Sequence, residues 1–257
     1  MEIIKFRKKN DKQYVVQFSD NTSLNFYDDT IIYFNLLGKK SISPEELMKI
    51  VLYDNNYKAY YKALKLVTIK LRLESEIETK LIKDGFTKDN VLFAVSKLKS
   101  QGYINREVYL KSYINDQINL SLKGPDKIIR ELKKLGFSEE DIFNYLIVKD
   151  DVWRDKIKKI IDKKVKSNHN LSLYMLKSKI KNELLQMGYS WKLINEEIEN
   201  ISFQEDKIME SALKKEYRKL SKKYEGDILC TKLKQKMYTK GFSIANIDYL
   251  IKNIGEL

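Results

Sequence analysis

Apolar positions along this chain follow a helical period that a glycine interrupts four times. The interruptions are Leu81-Ile-Lys-Asp-Gly85-Phe86-Thr87, Leu132-Lys-Lys-Leu-Gly136-Phe137-Ser138, Leu184-Leu-Gln-Met-Gly188-Tyr189-Ser190 and Met237-Tyr-Thr-Lys-Gly241-Phe242-Ser243. The glycines recur at intervals of 51, 52 and 53 residues. Four residues before each stand Leu81, Leu132, Leu184 and Met237; eight before stand Ile77, Ile128, Ile180 and Leu233. Six after stand Val91, Ile142, Ile194 and Ile247; ten after stand Val95, Leu146, Ile198 and Ile251. Steps of four on both sides predict an apolar stripe on two successive helices. Glycine takes the left-handed conformation that ends a helix. Thr87, Ser138, Ser190 and Ser243 are placed to cap the next one. Gly85, Gly136, Gly188 and Gly241 are therefore structural turns. No glycine-rich loop surrounds any of them, which argues against phosphate binding.

Further amphipathic segments precede each pair, at roughly 57–72, 106–120, 151–166 and 204–224. In the last, Met209, Leu213, Tyr217, Leu220 and Tyr224 follow helical spacing. Each repeat then holds three helices in about 50 residues, too few to bury much apolar surface alone, so neighbours should stack. The N-terminal stretch differs. Residues 2–6, 14–18 and 23–26 are short runs of β formers separated by polar turns, predicting an antiparallel meander. A helix is predicted at 28–37, and another from the Ser43-Pro44-Glu45-Glu46 start to about Leu52. The expected fold is mainly all-α: tandem three-helix repeats in an elongated, curved array behind a small N-terminal α/β segment. The expected units are 1–55, 56–104, 105–150, 151–201 and 202–257.

Composition sharpens this picture. Nine Gly and two Pro in 257 residues, with 43% apolar residues, favour a folded, helix-rich chain. Met1 to Asn10 carries charges where an export signal would be apolar, and no segment resembles a membrane span. With one cysteine, Cys230, a cytoplasmic protein without disulfides is expected. The net charge of +13 is uneven. It is zero over 1–54 and 104–150, +5 over 55–103, and +4 over each of 151–201 and 202–257. A basic excess suits an acidic partner such as nucleic acid or a nucleoprotein, or only keeps a lysine-rich chain soluble.

Reactive chemistry is sparse. His169, the only histidine, stands in a polar loop sequence without an evident acid or base partner. Cys230 falls in a helical segment. No nucleotide-binding glycine fingerprint or zinc motif occurs, so no catalytic residue, metal or cofactor is expected. Two basic faces remain. Lys156, Lys159, Lys163 and Lys166 recur opposite Ile157, Ile160, Ile161 and Val165, and Lys214, Lys215, Arg218, Lys219 and Lys222 cluster opposite the 204–224 stripe. They are candidate phosphate- or filament-binding faces; an ordinary solvated face is the alternative.

Several motifs carry a family resemblance over residues 57–147. They are Ala63-Leu64-Lys65-Leu66, Arg72-Leu73-Glu74-Ser75-Glu76-Ile77 leading to Gly85-Phe86, the Gly102-Tyr103-Ile104 junction, and the aromatic-rich helix that follows. The most specific is Lys123-Gly124-Pro125-Asp126-Lys127-Ile128-Ile129-Arg130-Glu131-Leu132-Lys133-Lys134-Leu135-Gly136-Phe137. This set resembles the RecX family of regulatory proteins, in the longer form of low-GC Gram-positive bacteria. One departure is Asn105-Arg106, where the family often carries two acidic residues. The resemblance implies a non-enzymatic, monomeric, cytoplasmic regulator. Its implied partner is the RecA recombinase, especially the RecA–single-stranded DNA filament. The implied effect is inhibition of ATP hydrolysis, strand exchange and co-protease activity in homologous recombination and the SOS response, with direct DNA contact an added option. The competing reading is an autonomous DNA-binding helical repeat protein.

Overall fold

Strands β1 (Ile3–Asn10), β2 (Gln13–Phe18) and β3 (Ser23–Tyr27) form an antiparallel sheet in that order in a computed structural model, which describes residues 1–252. Alternation places Val16, Phe18 and Phe26 on one buried face with Ile31, Leu36, Ile42 and Ile50. Helix α1 (Asp28–Tyr33) is shorter than the predicted 28–37. Asn35 adopts a left-handed conformation (φ 49°), and a single 3-10 turn, Leu36–Gly38, follows and buries Leu36.

Helix α2 (Pro44–Ile69) replaces the two separate helices expected around 43–52 and 57–72. Ser43 Oγ caps it by accepting from the Glu46 amide at 3.1 Å. The polar triplet Asp54-Asn55-Asn56 looks like a break, yet it lies inside the helix because Asp54 is used. Its buried Oδ1 accepts from the Tyr27 amide and the Thr30 hydroxyl, both at 2.8 Å, pinning the β3–α1 corner. The first half of α2 covers the sheet through Leu47, Ile50 and Val51. The second half packs Ala59, Tyr60, Ala63 and Val67 against α3 (Glu74–Lys83) and α4 (Lys88–Ser100). Asp54→Ala is expected to cost about 2–4 kcal/mol, since it strands two buried donors. Accelerated amide exchange at Tyr27 would report it, and unchanged exchange would show that the corner holds without Asp54.

The remaining helices are α5 (Arg106–Leu120), α6 (Pro125–Lys134), α7 (Glu139–Tyr145), α8 (Asp150–Lys166), α9 (Leu173–Gln186), α10 (Trp191–Glu199), α11 (Glu205–Leu220), α12 (Gly226–Thr239) and α13 (Ile244–Lys252). The mainly helical class with a small N-terminal sheet is thus as predicted. The chain divides into two compact units, Met1–Lys111 and one from Ser112 onward.

Gly85, Gly136, Gly188 and Gly241 have φ of 88°, 85°, 85° and 88°. After each, the aromatic amide reaches back to a helix carbonyl: Phe86 to Leu81, Phe137 to Leu132, Tyr189 to Leu184 and Phe242 to Met237. These bonds satisfy carbonyls that a helix end leaves open. Thr87, Ser138, Ser190 and Ser243 then accept from the amide three residues on.

In the second unit these turns also dock onto the preceding repeat. The Gly124 amide donates to Met187 O at 2.8 Å, and the Asp126 amide to Gly188 O at 3.1 Å. The equivalent bond one repeat later runs from the Ser172 amide to Lys240 O at 3.0 Å. Backbones approach closely enough that a methyl group on Gly124 would lie 2.5 Å from the Gly188 carbonyl carbon. Among the described residues no turn docks on the corresponding edge of α12, and Ile228 there is 61% exposed. Ile228 holds the position that Lys127 and Met175 hold under an incoming turn.

Candidate nucleic-acid interface

Helix α8 carries the first basic face. Asp150 and Asp151 in its first turn and Lys163, Lys164 and Lys166 in its last complement the helix dipole. Trp153, Ile157, Ile160 and Ile161 are buried. Lys159, Lys163 and Lys166 are exposed, but Lys156 does not join them. It is only 7% exposed, with its Nζ donating to the Gln117 carbonyl at 3.0 Å and lying 4.9 Å from the Trp153 ring centre. It fastens α8 to the end of α5 and cannot serve as a phosphate contact.

Burial, aided by the nearby Lys159 charge, lowers the Lys156 pKa below its ordinary 10.5. Between the lowered value and 10.5 the unfolded chain therefore binds more protons than the folded one. Stability rises with pH across that window, and the cost is fully present below it. Lys156→Met keeps the packed stem, and the Gln117 carbonyl still has the Ser121 hydroxyl at 2.8 Å. The variant is expected to be at least as stable as the parent and to lose the alkaline gain. A lower melting temperature than the parent at neutral pH would contradict this.

Charge pairing decides which other lysines are available. Arg154 holds Glu196 at 2.5 Å and Glu197 at 3.2 Å; Lys158 approaches Glu197 at 4.0 Å; Lys164 holds Glu183 at 2.7 Å. Glu183 of α9 and Glu196 and Glu197 of α10 are thereby paired with α8. Among the described residues no carboxylate lies within ion-pair distance of Lys159, Lys163 or Lys166.

The second basic face lies on α11, which buries Met209, Ala212 and Leu213. Lys207, Lys214, Lys215, Arg218 and Lys219 line a shallow open depression of about 620 Å³ with Glu210 and Ser211. Lys214 pairs with Glu210 at 2.9 Å. Lys222 lies beyond the helix end, and Tyr217 and Tyr224 are partly exposed rather than continuing the buried stripe. His169 is exposed between α8 and α9, Cys230 is half-buried on α12, and the described residues contain no cluster suited to a metal. No helix among them is long and apolar enough to cross a membrane.

Two features were not singled out from sequence. One is a tyrosine network on α2. Lys97 sits 4.3 Å from the Tyr57 ring centre and 3.7 Å from Asp29, and Tyr61 donates to Asp29 at 2.7 Å. Burial and then that carboxylate push the Tyr61 hydroxyl far above its usual range. The other is Trp191, 55% exposed, with Lys181 Nζ 3.3 Å from its ring centre. Its position, the first after the Ser/Thr cap, is Lys88, Glu139 and Ile244 in the other repeats, so the pattern gives it no signal.

No protein-family model matches the chain. Whole-length similarity does. A Regulatory protein RecX from Streptococcus uberis is 27% identical over 264 residues, covering 99% of this chain and all of that protein. Those of Staphylococcus carnosus and Bacillus subtilis are 24% and 25% identical over 98% and 97% of this chain and 96% of each relative. The fold agrees with a crystal structure of regulatory protein RecX, with a TM-score of 0.63 and 24% identity over 77% of this chain and 99% of that one. It also agrees with RecX from Lactobacillus salivarius, with a TM-score of 0.50 and 29% identity over 57% of this chain and 96% of that one.

The chain is thus similar, along nearly its whole length, to regulatory proteins of the RecX family.

The RecX-like motifs acquire structural roles in this light. In Lys123–Phe137, Gly124 is the cap that receives the next repeat's turn and Pro125 starts α6. Glu131 accepts from the Tyr113 hydroxyl at 2.6 Å and Lys123 at 2.5 Å. Burial alone would raise its carboxyl, but these two donors hold it below its ordinary value. The Asn105 departure is accommodated: its Oδ1 accepts from the Val108 amide at 3.0 Å at the start of α5.

Proposed function

We propose that this RecX-like chain is a non-catalytic cytoplasmic regulator that binds the RecA–single-stranded DNA filament as a monomer. In this reading it restrains ATP hydrolysis, strand exchange and co-protease activity. The observation that carries the reading is the unpaired row Lys159, Lys163 and Lys166 on a chain matched end to end by proteins named Regulatory protein RecX. Such a row suits an acidic, phosphate-bearing surface. The α11 face, Lys214, Lys215, Arg218 and Lys219 with Lys222 beyond it, extends the basic surface.

The test titrates the chain into RecA assembled on single-stranded DNA and follows ATP hydrolysis and strand exchange. Both should fall as the chain is added, with no ATP turnover by the chain alone. Tight binding to free DNA without any effect on RecA would instead favour the autonomous DNA-binding reading.

A further inference from the structure

We propose that Trp191, flanked by Lys181 and Lys192, is a stacking platform for an unpaired base of single-stranded DNA. It concerns DNA free of RecA, so its outcome is separate from that of the filament reading. A large aromatic side chain is normally buried; the other tryptophan, Trp153, is 4% exposed against Tyr189. Trp191 instead keeps more than half of its surface open at the start of α10.

The ring is held rather than loose. Its backbone follows the Ser190 cap, and the Lys181 ammonium stands 3.3 Å from the ring centre, a cation–π contact from α9. A ring fixed in this way loses little conformational freedom when a base stacks on it.

The surrounding charge favours a polyanion. Three of the four glutamates of α9 and α10, Glu183, Glu196 and Glu197, are neutralised by Lys164, Arg154 and Lys158 of α8, which leaves Glu199 at the opposite end of α10 from Trp191. Lys181 and Lys192 have no carboxylate within ion-pair distance among the described residues. A half-exposed indole beside the unpaired Lys181 ammonium, with a second unpaired lysine, Lys192, next in the chain, suits what a single strand offers: a free base face with phosphates close by. Duplex DNA presents its bases already stacked, so the ring itself distinguishes the two.

The experiment uses the full chain, an oligothymidylate and a duplex of the same length, with selective excitation of tryptophan. Oligothymidylate should quench the exposed Trp191 while Trp153 stays silent, and the duplex should not quench. Trp191→Phe should abolish the quench and retain part of the affinity; Trp191→Ala should weaken binding by roughly tenfold. Lys181→Met with Lys192→Met should weaken binding and flatten its salt dependence. Unchanged circular dichroism of the variants ties these losses to the surface. Equal affinity of Trp191→Ala and parent, equal quenching by duplex, or no quenching on saturation with oligothymidylate would each overturn the proposal.

Discussion

Gly188→Val is expected to be among the most damaging single substitutions in the second unit, at roughly 2–5 kcal/mol. Two costs add. A β-branched residue at φ 85° pays about 1–2 kcal/mol for the left-handed backbone. Its Cβ would also fall on the Lys127 amide nitrogen and 2.7 Å from the Lys127 Cβ, where the turn docks on the first turn of α6. Backbone cannot step aside as a flexible side chain can, so overpacking adds about 1–3 kcal/mol. Gly85 separates the two costs. Its φ is 88°, yet nothing lies within 4 Å of an added Cβ. Gly85→Val should therefore show the backbone cost alone, about 1–2 kcal/mol. Calorimetric unfolding of both variants tests the contrast. Equal losses would mean that the glycine serves only to end its helix, and that close docking contributes nothing.

The same contrast shows what the sequence could convey. Helical period and glycine spacing located the buried stripe. Ile77, Leu81, Ile128, Leu132, Ile180, Leu184 and Met237 are fully buried, because stripe positions depend on local geometry alone. Contacts between repeats were not legible. Gly124 reads as a helix start, and only the fold brings it against Gly188, 64 residues away. Asp54 reads as a polar interruption because its partners, Tyr27 and Thr30, come from another element.

The error at Lys156 has a different origin. It lies three residues after Trp153 and four before Ile160, on the edge of the apolar stripe rather than opposite it. A lysine there can bury its stem and find a carbonyl for its ammonium. Charge type alone suggested a solvated face, whereas position on the helix governs. Pairing was equally hidden: whether Lys159 or Lys164 is free depends on where Glu183 and Glu197 lie, and these come from later helices.

Reversing Lys159, Lys163 and Lys166 to Glu should therefore sever binding without unfolding the chain. All three are exposed and have no carboxylate partner among the described residues, so the folded state loses no ion pair. Exposed changes of this kind usually stay within about 0.5 kcal/mol each. If the row faces phosphates, three favourable contacts become three repulsions. Loss of three contacts should make the dependence of log affinity on log salt shallower by about 2–3. Affinity for the RecA–single-stranded DNA filament should fall by well over ~10-fold at low ionic strength, with the gap narrowing as salt rises. Lys156→Glu is the instructive control. It places a carboxylate against the Gln117 carbonyl in a buried site, so it should destabilise the α5–α8 contact by several kcal/mol, on the order of 3–5 for an uncompensated buried charge. The triple variant should melt like the parent and bind poorly, while Lys156→Glu should melt early. A folded triple variant that binds and inhibits RecA like the parent at low and physiological salt would remove this face from the interface. The α11 row would then be the remaining candidate.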